Sequence, residues 1–366
     1  MRFLSLALQD FRSYAHAEVE FAPGLTAIVG PNGHGKTNLL EALGLVAGLG
    51  SFRGAADAAL IRDGAECAAV RCQGVAESAR ELRIELDLDR TRPKKIRVNA
   101  QTVPRRRDLL AAAPATVLSP EDLELVKGEP ALRRRWLDDT LALVKPSWGA
   151  LRSELDRILR QRNMLLRQAQ GRAGGDITVT LDVWDEKLSA VGDRLRLRRR
   201  ELLDALGPQI SGLYSRLSAG SDTATARYAS CWDDVPLADA LAAARSEDLR
   251  RATTTVGPHR DDVLLEISGS PARSHASQGE KRSLALTMRL AADNEVRRRR
   301  GTDTVLLLDD VFSELDPVRS AALLEALPEG QRILTAPTPL LPEGVQPDQL
   351  LRVGDGAVTS VPAVGR

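Results

Sequence analysis

Eight consecutive residues, Gly30, Pro31, Asn32, Gly33, His34, Gly35, Lys36 and Thr37, fit the pattern G-x-x-x-x-G-K-[ST]. Glycines at these places let successive backbone N–H groups turn inward onto phosphate oxygens, and a following helix N-terminus adds partial positive charge. The lysine puts an ammonium against the β- and γ-phosphates of a nucleotide, and the next hydroxyl can ligate Mg²⁺. The setting is the one this chemistry requires: a short apolar run over residues 25–29 comes before the loop, and a helical pattern from Thr37 to about Leu49 comes after it. A second run, residues 305–308, ends in Asp309 and Asp310. Asp309 is expected in the Mg²⁺ shell, and Asp310 is expected to orient or deprotonate an attacking water. Alone, such a run also describes a buried strand followed by a capping aspartate; beside a phosphate loop it reads as the second half of a nucleotide site. A third element, Ser277, Gln278, Gly279 and Glu280, opens a helical pattern that continues to Val296. It combines an N-capping serine with a glycine that permits close backbone approach, and by itself it also fits an ordinary capping box. Ser313, Glu314, Leu315, Asp316 and Pro317 follow directly after the double aspartate.

The elements that must hold these residues are of α/β type. Apolar alternation at Phe3, Leu6 and Leu8, then Val19 and Phe21, predicts an antiparallel hairpin. Further strands are expected at residues 68–73, 82–88, 95–98, 263–267 and 305–308, with a short one at 333–334. The phosphate loop and the double aspartate lie at opposite ends of the chain, so a large insertion must separate them. From about Ser119 the pattern becomes helical: Leu151, Leu155, Ile158, Leu159 and Leu166, then Trp184, Leu188, Val191, Leu195, Leu202 and Leu206, keep close to a 3.6 period on either side of a glycine break at residues 171–175. Two antiparallel helices of about 20–25 residues, roughly 30–38 Å each, are predicted. The expected partition is 1–118 for a first ATPase lobe, 119–252 for a helical lobe or arm, and 253–366 for the remainder of the head.

The order of these elements resembles the ABC-type ATPase superfamily: Walker A, signature helix, Walker B, D-loop. More closely it is similar to the RecF family, bacterial recombinational repair ATPases related to Rad50 and SMC heads. The matching residues are 9–14 (QDFRSY), 37–42 (TNLLEA), 51–53 (SFR), 119–123 (SPEDL) with 126–128 (VKG), 134–138 (RRWLD), 257–262 (GPHRDD), 277–280 (SQGE) and 308–316 (LDDVFSELD). They run across nearly the whole chain. The resemblance implies an ABC-type P-loop head with an inserted short helical arm, binding ATP and Mg²⁺ and hydrolysing ATP slowly. It implies that two heads bind face to face, with Ser277 and Gly279 contacting the γ-phosphate of the partner copy. It further implies that Asp316 acts across that interface and that Arg12 lies near the phosphates. Partners by resemblance are DNA, a second copy, and recombination mediators of the RecR type. The chain departs from general ABC heads in three ways: Walker B ends Asp-Asp, not Asp-Glu; Thr335 stands where a switch histidine is usual; and no Q-loop glutamine is evident near Ser119.

Composition narrows the alternatives. Lys+Arg 51 against Asp+Glu 50 gives a net charge of +1, so a polyanion must be gripped by local patches. Candidate patches are residues 105–107, 133–135, 194–200 and 297–300, each of which also fits a helix face paired with nearby carboxylates. Four Trp, three Tyr and five Phe offer few stacking platforms for single strands, which favours duplex backbone contacts. His259 and Arg260 fit either a structural hinge or a ligand contact. Three cysteines support neither a disulfide framework nor a zinc cluster, and no apolar run reaches 18 residues, so a cytoplasmic protein without membrane partners is expected. A transporter ATPase subunit, a small-molecule kinase, an SMC-like tether and a scaffold clamped by ATP are the competing classes. The first is disfavoured by residues 9–14, the second by residues 277–280, and the third by the short arm.

Overall fold

Alternating apolar residues at the N-terminus pair as expected: β1 (Arg2–Phe11) runs antiparallel to β2 (Tyr14–Glu20) with Leu6 opposite Val19 and Leu8 opposite Ala17. The computed structural model describes all residues except 77–78, 104–105, 170–174, 219, 221, 233–234, 338–340, 342, 355 and 362–366, and does not describe the side chains of 106–107 and 175–176. Arg105 of the first arginine run and residues 171–174 of the glycine break therefore lie outside the described residues. The chain packs as two units: residues 1–123, 213–222 and 278–366, and residues 124–212 and 223–277.

The first unit holds two sheets. One is antiparallel, in the order β2-β1-β4-β5-β6-β7, with β4 (Cys67–Val75), β5 (Glu81–Asp89), β6 (Lys95–Val98) and β7 (Gln101–Thr102). The other has the order β15-β14-β3-β13-β12-β8, formed by β3 (Leu25–Val29), β8 (Ala115–Leu118), β12 (Val305–Asp309), β13 (Arg332–Ala336) and β14 (Gln349–Gly354), with β15 (Ala357–Val361) on its edge. All its pairs except β14–β15 are parallel. Every residue of β3, β8 and β12 is buried, which is why these strands read as near-continuous apolar runs, interrupted only by Thr26 and Thr116 and ended by Asp309, and not as alternating ones. Helices α1 (Lys36–Val46), α2 (Arg106–Ala112), α9 (Gln278–Arg300) and α10 (Pro317–Ala326) complete the unit. The buried amide of Gln331 ties the two sheets: it accepts from the Phe3 N–H at 2.7 Å and donates to the carbonyls of Phe3 and Ala22 at 2.7 and 2.9 Å. Strand order sets the chemistry. Because β13 lies between β3 and β12, and β8 flanks β12, the C-terminal ends of all four strands converge on one edge, where parallel α/β sheets bind ligands.

The second unit contains α3 (Glu124–Lys127), α4 (Pro130–Val144), α5 (Pro146–Gln168), most of α6 (Gly175–Leu217), α7 (Leu237–Arg251) and α8 (Ala272–His275). A small antiparallel sheet joins β9 (Ala224–Ala229), β10 (Asp262–Ile267) and β11 (Ser270–Pro271). Residues 253–277, grouped above with the third segment, pack here because β10 pairs along its whole length with β9. The antiparallel helical pair is present: Arg162 of α5 meets Asp185 of α6, and Leu166 packs with Leu181. Its lengths differ from expectation. α5 has 23 residues, but α6 has 43 and runs straight through Pro208. The proline removes one backbone donor. The apolar stripe nevertheless continues past it as Leu206, Ile210, Leu213 and Leu217, each at most 3% exposed, and that burial outweighs the lost bond.

Candidate nucleotide site

β3 delivers the chain into the phosphate loop, and Gly35 caps α1 in a left-handed conformation (φ 107°). No acidic residue occupies the first turn of α1, which leaves its N-terminus open to an anion. A Cβ on Gly35 would lie 2.7 Å from Ser13 Oγ and 2.8 Å from the Tyr14 hydroxyl, and Tyr14 OH donates to the Gly35 carbonyl at 3.1 Å. The segment 9–14 thus abuts the loop, a contact that residue spacing alone does not reveal. Pro31, Asn32 and Gly33 are exposed, and His34 is half-buried. Lys36 is buried, with Nζ donating to the carbonyls of Gly30 and Pro31 at 2.8 Å each. Burial lowers its pKa, while the charges of Asp310 and Asp309 hold it up.

Thr37, Asp309, Thr335 and Asp310 form one hydrogen-bonded run. The Thr37 hydroxyl donates to Asp309 Oδ1 at 2.9 Å, the Thr335 hydroxyl donates to the same oxygen at 2.8 Å, and the Asp310 N–H donates to Thr335 Oγ1 at 3.0 Å. Both hydroxyls use Oδ1, which leaves Oδ2 for a cation. Asp309 is 4% exposed; burial raises its pKa, opposed by the two hydroxyls and reinforced by the charges of Glu121 and Asp310. A buried carboxylate held by donors on one oxygen, next to a hydroxyl on the first turn of α1, is a donor set suited to Mg²⁺. Asp310 takes a left-handed φ of 50°, and its buried Oδ1 has no hydrogen-bond partner. It borders a cavity of about 10 Å³, also lined by Ser119, Pro120, Arg282, Val311 and Glu314. That volume suits about one water.

Two residues that sequence reasoning left without a role are placed here. Thr335 bridges the two aspartates from the end of β13. Glu121, in the turn after β8, carries a charge felt at Asp309; the sequence signal for it is the 119–123 motif, which names the segment without giving this residue a role. Arg12, in contrast, is engaged on all three nitrogens. Nε and NH2 donate to Glu41 at 2.8 and 2.9 Å, and NH1 donates to the Ala59 carbonyl at 3.0 Å. With Glu41 fully buried on α1, Arg12 braces the helix that the phosphate loop opens into.

Ser277 and Gln278 are exposed where α9 begins. Gly279 faces Arg319, whose NH1 would lie 2.5 Å from a Cβ at that position. Asp316 caps α10 by accepting the Arg319 N–H at 2.9 Å.

Most of the arginine runs are used internally. Arg133 makes a bidentate pair with Asp262, and Arg134 donates to the Asp261 carbonyl. Arg199 is buried on Asp138, and Arg196 stacks on Trp232 at 3.9 Å. Arg297 pairs with Asp293 and Asp303, Arg298 and Arg299 with Glu295, and Arg300 reaches the Ala111 carbonyl. His259 donates from Nε2 to the Thr254 carbonyl at 3.0 Å, and burial lowers its pKa to about 4. Among the described residues no helix is long and apolar enough to cross a membrane.

Comparison with known proteins follows the same outline. Residues 3–335 match the RecF/RecN/SMC N-terminal domain. The chain is 42% identical over 348 residues to the DNA replication and repair protein RecF of Streptomyces avermitilis, covering 91% of this chain and 92% of that protein. It is 41% identical over 352 residues to the protein of the same description from Frankia alni, covering 91% and 92%. Among solved structures, that of the recombination mediator protein RecF with ATP in the RecFOR pathway superposes with a TM-score of 0.90 at 29% identity, over 98% of this chain and 97% of that one. An Smc head bound to the C-terminal winged-helix domain of ScpA shares the fold, with a TM-score of 0.59 at 19% identity over 99% and 97% of the two chains.

Proposed function

We propose, from the premise that this chain belongs to the RecF family of SMC- and ABC-type ATPase heads, that it works in DNA replication and recombinational repair as an ATP-gated, DNA-binding dimer. The observation that carries the proposal is the hydrogen-bonded run from Thr37 through Asp309 and Thr335 to Asp310 beside the buried Lys36. It is a site built to hold a nucleoside triphosphate and to place a carboxylate at one water. Mg²⁺ bound by Thr37 and Asp309 would neutralise charge on the β- and γ-phosphates. Lys36 exchanges its loop carbonyls for phosphate oxygens, and Asp310 orients the water through its unpartnered Oδ1. The aspartate is one methylene shorter than the glutamate usual there, which supports slow turnover. Ser277 and Gly279 then serve the nucleotide of a second copy, with Asp316 acting across the interface, so that ATP joins two heads and hydrolysis parts them. On DNA, duplex or gapped, such a dimer would help load recombinase at gaps together with mediators of the RecR type.

Sizing by sedimentation, with and without ATP and duplex DNA, tests this. The wild-type chain is expected to dimerise with ATP. Lys36→Arg should lose dimer and turnover, and Ser277→Arg should stay monomeric while binding ATP within about threefold of wild type. Normal ATP-dependent dimerisation by Ser277→Arg refutes the trans site.

A further inference from the structure

The signature helix α9 is tied to both loops that flank Asp310. Near its start, Arg282 pairs with the Glu314 carboxylate in the D-loop and donates to the Glu314 carbonyl at 3.3 Å. Seven residues later, close to two helical turns and therefore on the same face, Arg289 pairs with Asp122 at 2.7 Å. Asp122 is 6% exposed and uses its other oxygen to accept the Ser119 N–H at 2.9 Å, which closes the turn after β8. That turn carries Glu121, whose charge acts on Asp309. β8 itself pairs with β12 one residue before the aspartates, Leu118 opposite Leu308. Between the two ion pairs lies the one-water cavity, lined by Asp122, Arg282, Asp310 and Glu314.

We infer that Arg289 is a positioning residue: through Asp122 it sets the Ser119–Asp122 turn against the Walker B carboxylates. With Arg282 it makes α9 the relay by which engagement of the Ser277–Gly279 turn is felt at the same chain's Asp310. The inference rests on the dimer proposed above, because only a partner's nucleotide would load that turn. A rigid helix fixed at two points cannot shift its first turn without moving Glu314 or Asp122. Asp122 cannot move without releasing the Ser119 amide. The metal-side turn and the water-side loop therefore follow α9 together. A pair that served stability alone would need neither the second oxygen of Asp122 on the turn's own amide nor a matching arginine of α9 on Glu314.

The test compares Arg289→Met, Arg289→Lys and the double variant Asp122→Asn/Arg289→Met, the last leaving no uncompensated buried carboxylate. Single-turnover ATP hydrolysis, equilibrium binding of a fluorescent ATP analogue, and ATP-dependent sedimentation are measured for each. The expected result is turnover lowered about 10–100-fold in Arg289→Met and in the double variant. ATP affinity should stay within about threefold of wild type and the dimer should be retained, with Arg289→Lys recovering part of the rate. Turnover within twofold of wild type in the double variant overturns the relay while the dimer stands. A parallel fall of turnover, affinity and folded fraction also overturns it, assigning the pair to stability alone. A wild-type chain that stays monomeric in ATP overturns the dimer and the relay with it.

Discussion

Replacing Thr335 by valine keeps volume and β-branching but removes one hydroxyl that serves two partners. Thr335 is 2% exposed, donates to Asp309 at 2.8 Å and accepts from the Asp310 N–H at 3.0 Å. Losing a hydrogen bond to a carboxylate costs about 1.5–3 kcal/mol, and leaving a buried amide unpaired costs about 1–3 kcal/mol. Because one side chain makes both bonds the terms overlap, and about 2–4 kcal/mol is expected at neutral pH. The loss depends on pH in a defined sense. Burial already raises the Asp309 pKa above its ordinary 3.8, so the cost of the ionised carboxylate is absent below that ordinary value, grows as pH rises toward the folded-state value and is full above it. Removing a donor raises that pKa further and enlarges the penalty where Asp309 is ionised. The gap between wild type and Thr335→Val in urea unfolding should therefore be widest near pH 8 and narrow as pH falls toward 4, while Thr335→Ser loses only a buried methyl, about 1 kcal/mol with no such pH dependence. A gap below about 0.5 kcal/mol at pH 8, or one that widens in acid, refutes the bridging role.

His259 and Gly35 give two further checks. Burial depresses the His259 pKa from 6.5 to about 4, so its contribution is intact above pH 6.5 and is lost as pH falls toward 4. The full loss is about 3 kcal/mol, and His259→Gln should abolish this component in denaturant melts across that window. Gly35→Ala must hold φ near 107° and crowd Ser13 Oγ and the Tyr14 hydroxyl. A stability cost of about 1–3 kcal/mol is expected, with ATP affinity at least tenfold weaker by titration calorimetry; binding within twofold of wild type contradicts the packing described.

What could be read from the sequence follows from how locally each feature is encoded. The phosphate loop, the double aspartate and the hairpin β1–β2 are short-range patterns whose residue types state their chemistry. Strand β8 is hard to read because Ala115, Thr116, Val117 and Leu118, all buried ahead of a helical tract, show no alternation, and β14 and β15 because their apolar content is modest. α6 outruns its predicted length because the stripe that ends at Leu206 in the sequence pattern continues, buried, past Gly207 and Pro208 to Leu217. Thr335 is an ordinary residue type made useful only by strand order, since β13 lies beside β12. The arginine runs leave two readings open in the sequence, a phosphate contact or a face paired with carboxylates, because their partners lie far away along the chain. Arg133 finds Asp262 across 129 residues of sequence and Arg199 finds Asp138 across 61, pairings that no local window contains.

Those pairings bear on how such a chain could hold DNA. With a net charge of +1 there is no global attraction to a polyanion, and the runs at 133–134 and 297–300 have most of their guanidinium groups committed to carboxylates and carbonyls within the chain. If few phosphate contacts remain per copy, binding by a single head is weak and its salt dependence shallow, since each contact contributes about −0.9 to the slope of log affinity against log salt. Joining two heads turns the second set of contacts into an intramolecular event, so affinities multiply, set by an effective concentration. Under the proposed dimer, a nucleotide that touches no DNA could therefore govern DNA binding: weak charge on each copy would make retention conditional on the pair, and the pair conditional on ATP.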